Sequence, residues 1–116
     1  MVMKPKDVIP AIVRIDKWLD DNVSEEYKAQ PLAQDWARVA KMTEELGEAI
    51  DAFIGLTGQN PRKGYYGTRD DLLDELADAA LASILAIQHF TKDEAETVVI
   101  LITRLAYRLS KIPEGE

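Results

Sequence analysis

Apolar residues recur at every third or fourth position along most of this chain, and nowhere do they alternate. Val8, Ile12, Ile15 and Leu19 begin the pattern. Val39, Met42, Leu46, Ala49, Ile50 and Phe53 continue it, and Ala95, Val98, Val99, Ile102, Leu105, Ala106 and Leu109 close it. A period near 3.6 residues fits one face of an α-helix and not the two-residue repeat of a half-buried strand. At 116 residues the chain is expected to form one all-α domain, residues 1–116, around a single modest core.

Punctuation divides the pattern into four helices. The first is expected from about Pro5 to Asp21, after which the polar stretch 21-DNVSEEYKAQP-31 breaks the period. Pro31 suits the start of a second helix, running to about Leu56. The segment 55-GLTGQNPRKGYYGT-68 holds four glycines, a proline and an Asn-Pro step, and reads as a loop. Thr68 and Asp71 have capping-box spacing and should open a third helix, ending near Phe90. Thr91 and Glu94 repeat that spacing before a fourth, which Pro113 and Gly115 end.

The net charge of −7 opposes binding to a nucleic-acid backbone or an anionic membrane. A nucleotide stays open, because bound cations can reverse the local charge. Without cysteine the chain has neither a disulfide framework nor a cysteine-based zinc site. The start, MVMKPKDVIP, lacks the apolar stretch of a secretory signal. The longest uncharged run, Ala79–Thr91, has 13 residues, too few to span a bilayer. A soluble cytoplasmic protein is expected.

The acids are concentrated: nine of 21 fall within 44–51 and 70–78. Residues three and four apart share a helix face. Glu45 is thereby in line with Met42, Ala49 and Ala52, with Glu48 beside it. Glu75 is in line with Leu72, Ala79, Ala82 and Ala86, with Asp78 beside it. Asp70 and Asp71 suit the first turn of a helix, where the macrodipole favours acids. It does not account for Glu45 and Glu48 in mid-helix, or for Asp78 more than two turns in. Both pairs border the inward stripe, where burial is costly unless a cation compensates. Four convergent carboxylates without cysteine or paired histidines suit a hard cation, Mg²⁺ or Mn²⁺. A di-iron bundle would need Glu-x-x-His motifs, and His89, the only histidine, is better read as a packed or helix-end residue. Mg²⁺ held by carboxylates commonly takes substrate phosphates as further ligands. Lys41, Arg62, Lys63 and Arg69 are candidates to meet them, and Trp36, Tyr65 and Tyr66 to stack a base.

Lys41-x-x-Glu44-Glu45-x-x-Glu48 followed by Glu75-x-x-Asp78 resembles the signature of the MazG-like, all-α nucleoside triphosphate pyrophosphatase superfamily. The segment 55–81 resembles in particular single-domain members from actinobacteria and their phages, and the resemblance covers about residues 32–110. It implies a four- to five-helix bundle forming a homodimer or a dimer of dimers. It also implies Mg²⁺-dependent hydrolysis of a nucleoside triphosphate to the monophosphate and pyrophosphate. By motif position Glu45, Glu48, Glu75 and Asp78 would be the metal ligands. The metal would activate a water for in-line attack on the α-phosphate and neutralise charge on the leaving pyrophosphate. Glu44 or Glu45 would accept the water's proton. Lys41 and the loop cations would contact the polyphosphate. The loop is longer and richer in glycine than in compact members, so it would act as a lid or alter the substrate. Two alternatives retain the fold without turnover: a helical interaction module, or a nucleotide sensor.

Overall fold

The computed structural model describes residues 3–112. A 3₁₀ turn at Pro5–Asp7 leads into α1 (Val8–Asn22), α2 (Glu25–Lys28), α3 (Pro31–Thr57), α4 (Arg69–Thr91) and α5 (Glu94–Ser110). Among the described residues there is no strand, so the all-α expectation holds. The short α2 is an addition, formed inside the stretch whose polar residues mark a break. Ser24 caps it by accepting from the Tyr27 N–H at 3.1 Å, and the Tyr27 hydroxyl fastens it to α3 by donating to Ala33 O at 2.9 Å.

The helix ends follow local chemistry. Pro31 opens α3, where its missing N–H costs nothing, and Gly58 closes it with φ +65°, a conformation glycine adopts freely. Thr68 and Asp71 form the expected reciprocal box, with Thr68 N–H donating to Asp71 Oδ2 at 2.7 Å and Asp71 N–H to Thr68 Oγ1 at 3.2 Å. The start of the last helix corrects the sequence reading. Thr91 is the final residue of α4, and Asp93 caps α5 by accepting from the Glu96 N–H at 2.7 Å. Thr91–Glu94 and Asp93–Glu96 are overlapping boxes whose caps are two residues apart, and the Asp93 carboxylate takes the role. Pro113 and Gly115 lie outside the described residues.

The central pair is α3 and α4. Asp35 meets His89 and Glu48 meets Glu75, so position falls along α4 as it rises along α3 and the helices are antiparallel. Ala49, Ala82 and Ala86 are buried with Ile12 of α1, and their small side chains let the backbones approach. The α5 helix is pinned near its start, where buried Thr97 donates to buried Gln88 Oε1 at 2.7 Å. Beyond it the expected inward positions Val99, Ile102, Leu105 and Leu109 are exposed in the single chain, as are Val8, Ile15, Val39, Leu46, Ile50 and Phe53. The radius of gyration is 17.3 Å, against about 13 Å for a compact domain of this length. The chain exposes 8846 Å², against roughly 6,300 Å² for a compact monomer of its mass. Period and burial thus part company: the apolar stripes are real, and one chain alone does not cover them. No helix among the described residues is long and apolar enough to cross a membrane.

Candidate functional site

The two acidic segments meet across the α3–α4 seam. Carboxylate oxygens of Glu45, Glu48 and Glu75 all lie within 4.8 Å of one another. Glu75 Oε2 is buried and has no hydrogen-bond partner, although a charged oxygen out of water is costly to leave unpaired. Burial, then hydrogen bonding with Glu48, then the charges of Glu48, Asp78 and Glu45 hold the Glu75 carboxyl above its ordinary value of 4.5. An oxygen acceptor set with an orphaned member fits a hard cation, and Glu45, Glu48 and Glu75 are the residues that could hold one. Asp78, expected as the fourth ligand, is exposed and stands outside this close group. It sits about 60° around α4 from Glu75 and has one methylene fewer with which to reach across.

Lys41 lies one turn before the group, as its spacing implies. Its ammonium donates to Glu44 Oε2 at 3.1 Å and lies 3.2 Å from Glu45 Oε1, and these bonds raise its pKa. Beside the trio is an open groove of about 580 Å³, lined by Glu44, Glu48, Asp51, Asp71 and Glu75, with Gly47, Ala52, Tyr66 and Gly67 completing it. Five carboxylates and no basic side chain line this groove, so an anion can enter only with cations. Asp51 and Asp71 were not singled out from sequence as site residues. The signal was there, since Asp51 follows Glu48 by three and Asp71 precedes Glu75 by four.

The remaining candidates divide. Tyr66 forms one wall of the groove, its hydroxyl donating to Asp51 Oδ1 at 2.8 Å, and Lys63 reaches the same oxygen at 3.4 Å. Trp36 stands apart: it is 72% exposed and precedes Glu45 by nine residues, about 14 Å along the helix. Tyr65, 80% exposed, packs over Gly58, and neither it nor Trp36 lines the groove. Arg62 and Arg69 are exposed and make no ion pair among the described residues. A separate apolar cavity of about 250 Å³ lies between α1, α3 and α4, with Leu19, Val23, Tyr27, Leu85, Arg38 and Lys41 in its wall.

Sequence reading missed a second cluster altogether. Asp16 and Asp20 of α1 face His89 at the end of α4. Lys92 fills the space between them, 3.0 and 2.9 Å from the two Asp16 oxygens and in contact with Asp20, while Arg38 pairs with both acids at 3.3 and 3.1 Å. His89 is buried, as expected, and bonds Asp35 through Nε2 at 2.7 Å. The oppositely charged partners are 18 to 76 positions apart in sequence, so no local motif could disclose the pairing. With a resident ammonium and a guanidinium, the cluster joins helices and has no vacancy for a metal.

No protein-family model matches the chain, and no curated protein or solved structure matches it either.

Proposed function

We propose that the protein is a Mg²⁺-dependent nucleoside triphosphate pyrophosphohydrolase of the MazG-like kind. The observation that carries this reading is the convergence of Glu45, Glu48 and Glu75 around the unpartnered, buried Glu75 Oε2. The three carboxylates would hold the cation, which when bound would supply the charge neutralisation that the polyphosphate of the substrate requires. Glu44 lines the groove with Oε2 engaged by Lys41, leaving Oε1 to take the proton of the attacking water. The new bond joins the oxygen of that water to the α-phosphorus, and the bond from the α-phosphorus to the bridging oxygen of the leaving pyrophosphate breaks. Lys41 pairs with Glu44 of the groove and lines the apolar cavity, so that cavity would offer the base a space beside the polyphosphate. Mn²⁺ suits the same oxygen set.

The reading includes a second copy of the chain. The surplus of about 2,500 Å² over a compact monomer is of the size that obligate dimers bury. Leu46, Ile50 and Phe53 of α3 and Leu73 and Leu76 of α4 supply the apolar surface for it.

A nucleotide sensor is the second reading, favoured by the position of Asp78 away from the three converging acids. Titration with Mn²⁺ separates metal site from solvated acids: the wild type should bind and Glu75→Gln should not. Equal binding by both would remove the basis of the proposal.

A further inference from the structure

We propose that Tyr66 is a positioning residue. It seats the loop between α3 and α4 in a notch at Gly55 and so holds Lys63 at the rim of the acidic groove, where the ammonium exchanges Asp51 for a metal-bound polyphosphate. This inference rests on the reading of the groove as a metal and polyphosphate site.

The notch exists because Gly55 has no side chain. Gly55 is buried, and a Cβ there would lie 2.4 Å from both the ring and the carbonyl oxygen of Tyr66. The Tyr66 N–H donates to Gly55 O at 3.0 Å, so ring and backbone are fixed together. Gly64 and Gly67, at φ +69° and +74°, turn the chain on either side of the two tyrosines. Between them and α3, the N–H groups of Lys63 and Gly64 both donate to Asn60 O at 3.0 Å. A loop tied down in this way is a wall of the groove and not a lid over it.

Two unequal bonds, one from Tyr66 and one from Lys63, meet on one carboxylate at the rim. Asp51 Oδ1 accepts from the Tyr66 hydroxyl at 2.8 Å and from the Lys63 ammonium at 3.4 Å. The hydroxyl bond is the shorter, and the Lys63 ammonium also lies over the Tyr66 ring at 5.9 Å. Asp51 is therefore placed by Tyr66, while Lys63 makes only a half-exposed ion pair, which contributes little. A phosphate oxygen that arrives with its cation offers the ammonium a stronger, charge-assisted partner. Among the loop cations only Lys63 is fixed beside the groove; Arg62 and Arg69 have no such tether among the described residues.

The test is calorimetric titration of the full chain with Mn²⁺ alone and with Mg²⁺-tripolyphosphate. Lys63→Gln is expected to weaken tripolyphosphate about tenfold, and Tyr66→Phe several-fold, with Mn²⁺ affinity unchanged in both. The double variant should be no weaker than Lys63→Gln alone, because Tyr66 acts through Lys63. Gly55→Ala, which expels the ring but leaves the hydroxyl, should lose at least as much as Tyr66→Phe. Additive losses, or a matching fall in Mn²⁺ affinity, would overturn the positioning role, as would unchanged tripolyphosphate affinity in Lys63→Gln. A wild type that binds Mn²⁺ but not tripolyphosphate overturns this proposal alone. One that binds neither overturns the reading of the groove beneath it.

Discussion

Lys92 holds both carboxylate oxygens of Asp16, at 3.0 and 2.9 Å, and thereby joins the end of α4 to the middle of α1. Asp16 is buried, so its charge depends on Lys92 and Arg38 for compensation. Removing one partner from a buried pair leaves an uncompensated charge and costs more than the pair itself contributes. Arg38→Met should therefore destabilise the chain by roughly 3 kcal/mol in urea denaturation. Lys92 also adopts a left-handed φ of +55°, a strain of about 1 kcal/mol that glycine would relieve. Lys92→Gly should nonetheless be destabilising. A gain in stability would mean that the bridge contributes less than the backbone strain it sustains.

The acidic trio makes the metal-free protein sensitive to pH. The folded state raises the Glu75 carboxyl above 4.5, so just above that pH it keeps a proton that the unfolded chain has released. Protons bound preferentially by the folded state make stability fall as pH rises through that window. Asp20 and Asp51 oppose this trend. Burial would raise Asp20, but Lys92, Arg38 and His89 outweigh it, and the Tyr66 and Lys63 bonds lower Asp51. The informative quantity is thus the difference between wild type and Glu75→Gln, measured by thermal unfolding in EDTA at pH 5 and pH 7. The variant should gain stability relative to wild type at pH 7 and gain less at pH 5. The same gain at both values would show that Glu75 titrates as it does in the unfolded chain.

The three close acids and Asp78 should separate in activity. Glu48→Gln removes an oxygen from the converging group and should lower the rate more than about a hundredfold, while the metal-free fold is intact or slightly more stable. Asp78 stands outside that group but its charge acts on Glu75, so Asp78→Asn should cost less, about tenfold. Rates of metal-dependent hydrolysis, with circular dichroism as the check on folding, decide the matter. Unfolding of Glu48→Gln would show that the acids serve the fold.

The uncovered apolar stripes predict the solution state. Light scattering should give a mass of at least twice 13.0 kDa, and Phe53→Glu should shift it toward the monomer with a fall in thermal stability. A stable monomer in the wild type would contradict the second copy included in the proposed function.

The helices were legible because their signals are local. Period, Pro31 and the Thr68–Asp71 box each act within a turn or two, and the structure places the main elements accordingly. Glu45, Glu48 and Glu75 were legible because two i,i+3 patterns on adjacent helices imply a common seam. Tertiary reach was not legible: Asp78 stands outside the close group, and Trp36 lies about 14 Å along α3 from Glu45. The Asp16–Lys92 and Asp35–His89 contacts span 76 and 54 positions, and nothing in their neighbourhoods marks them. The burial of α5 failed for a different reason, since periodicity states which face is apolar and is silent on which chain covers it.

Under the proposed function, metal held by Glu45, Glu48 and Glu75 supports cleavage of a nucleoside triphosphate between its α- and β-phosphates. The most direct measurement is pyrophosphate release from a panel of canonical and modified NTPs and dNTPs, with Mg²⁺, with Mn²⁺ and with EDTA. Release of pyrophosphate and monophosphate from at least one substrate, in either metal and abolished by EDTA, is the predicted result. No release from any of them, by protein that calorimetry shows to be metal-loaded, would contradict it.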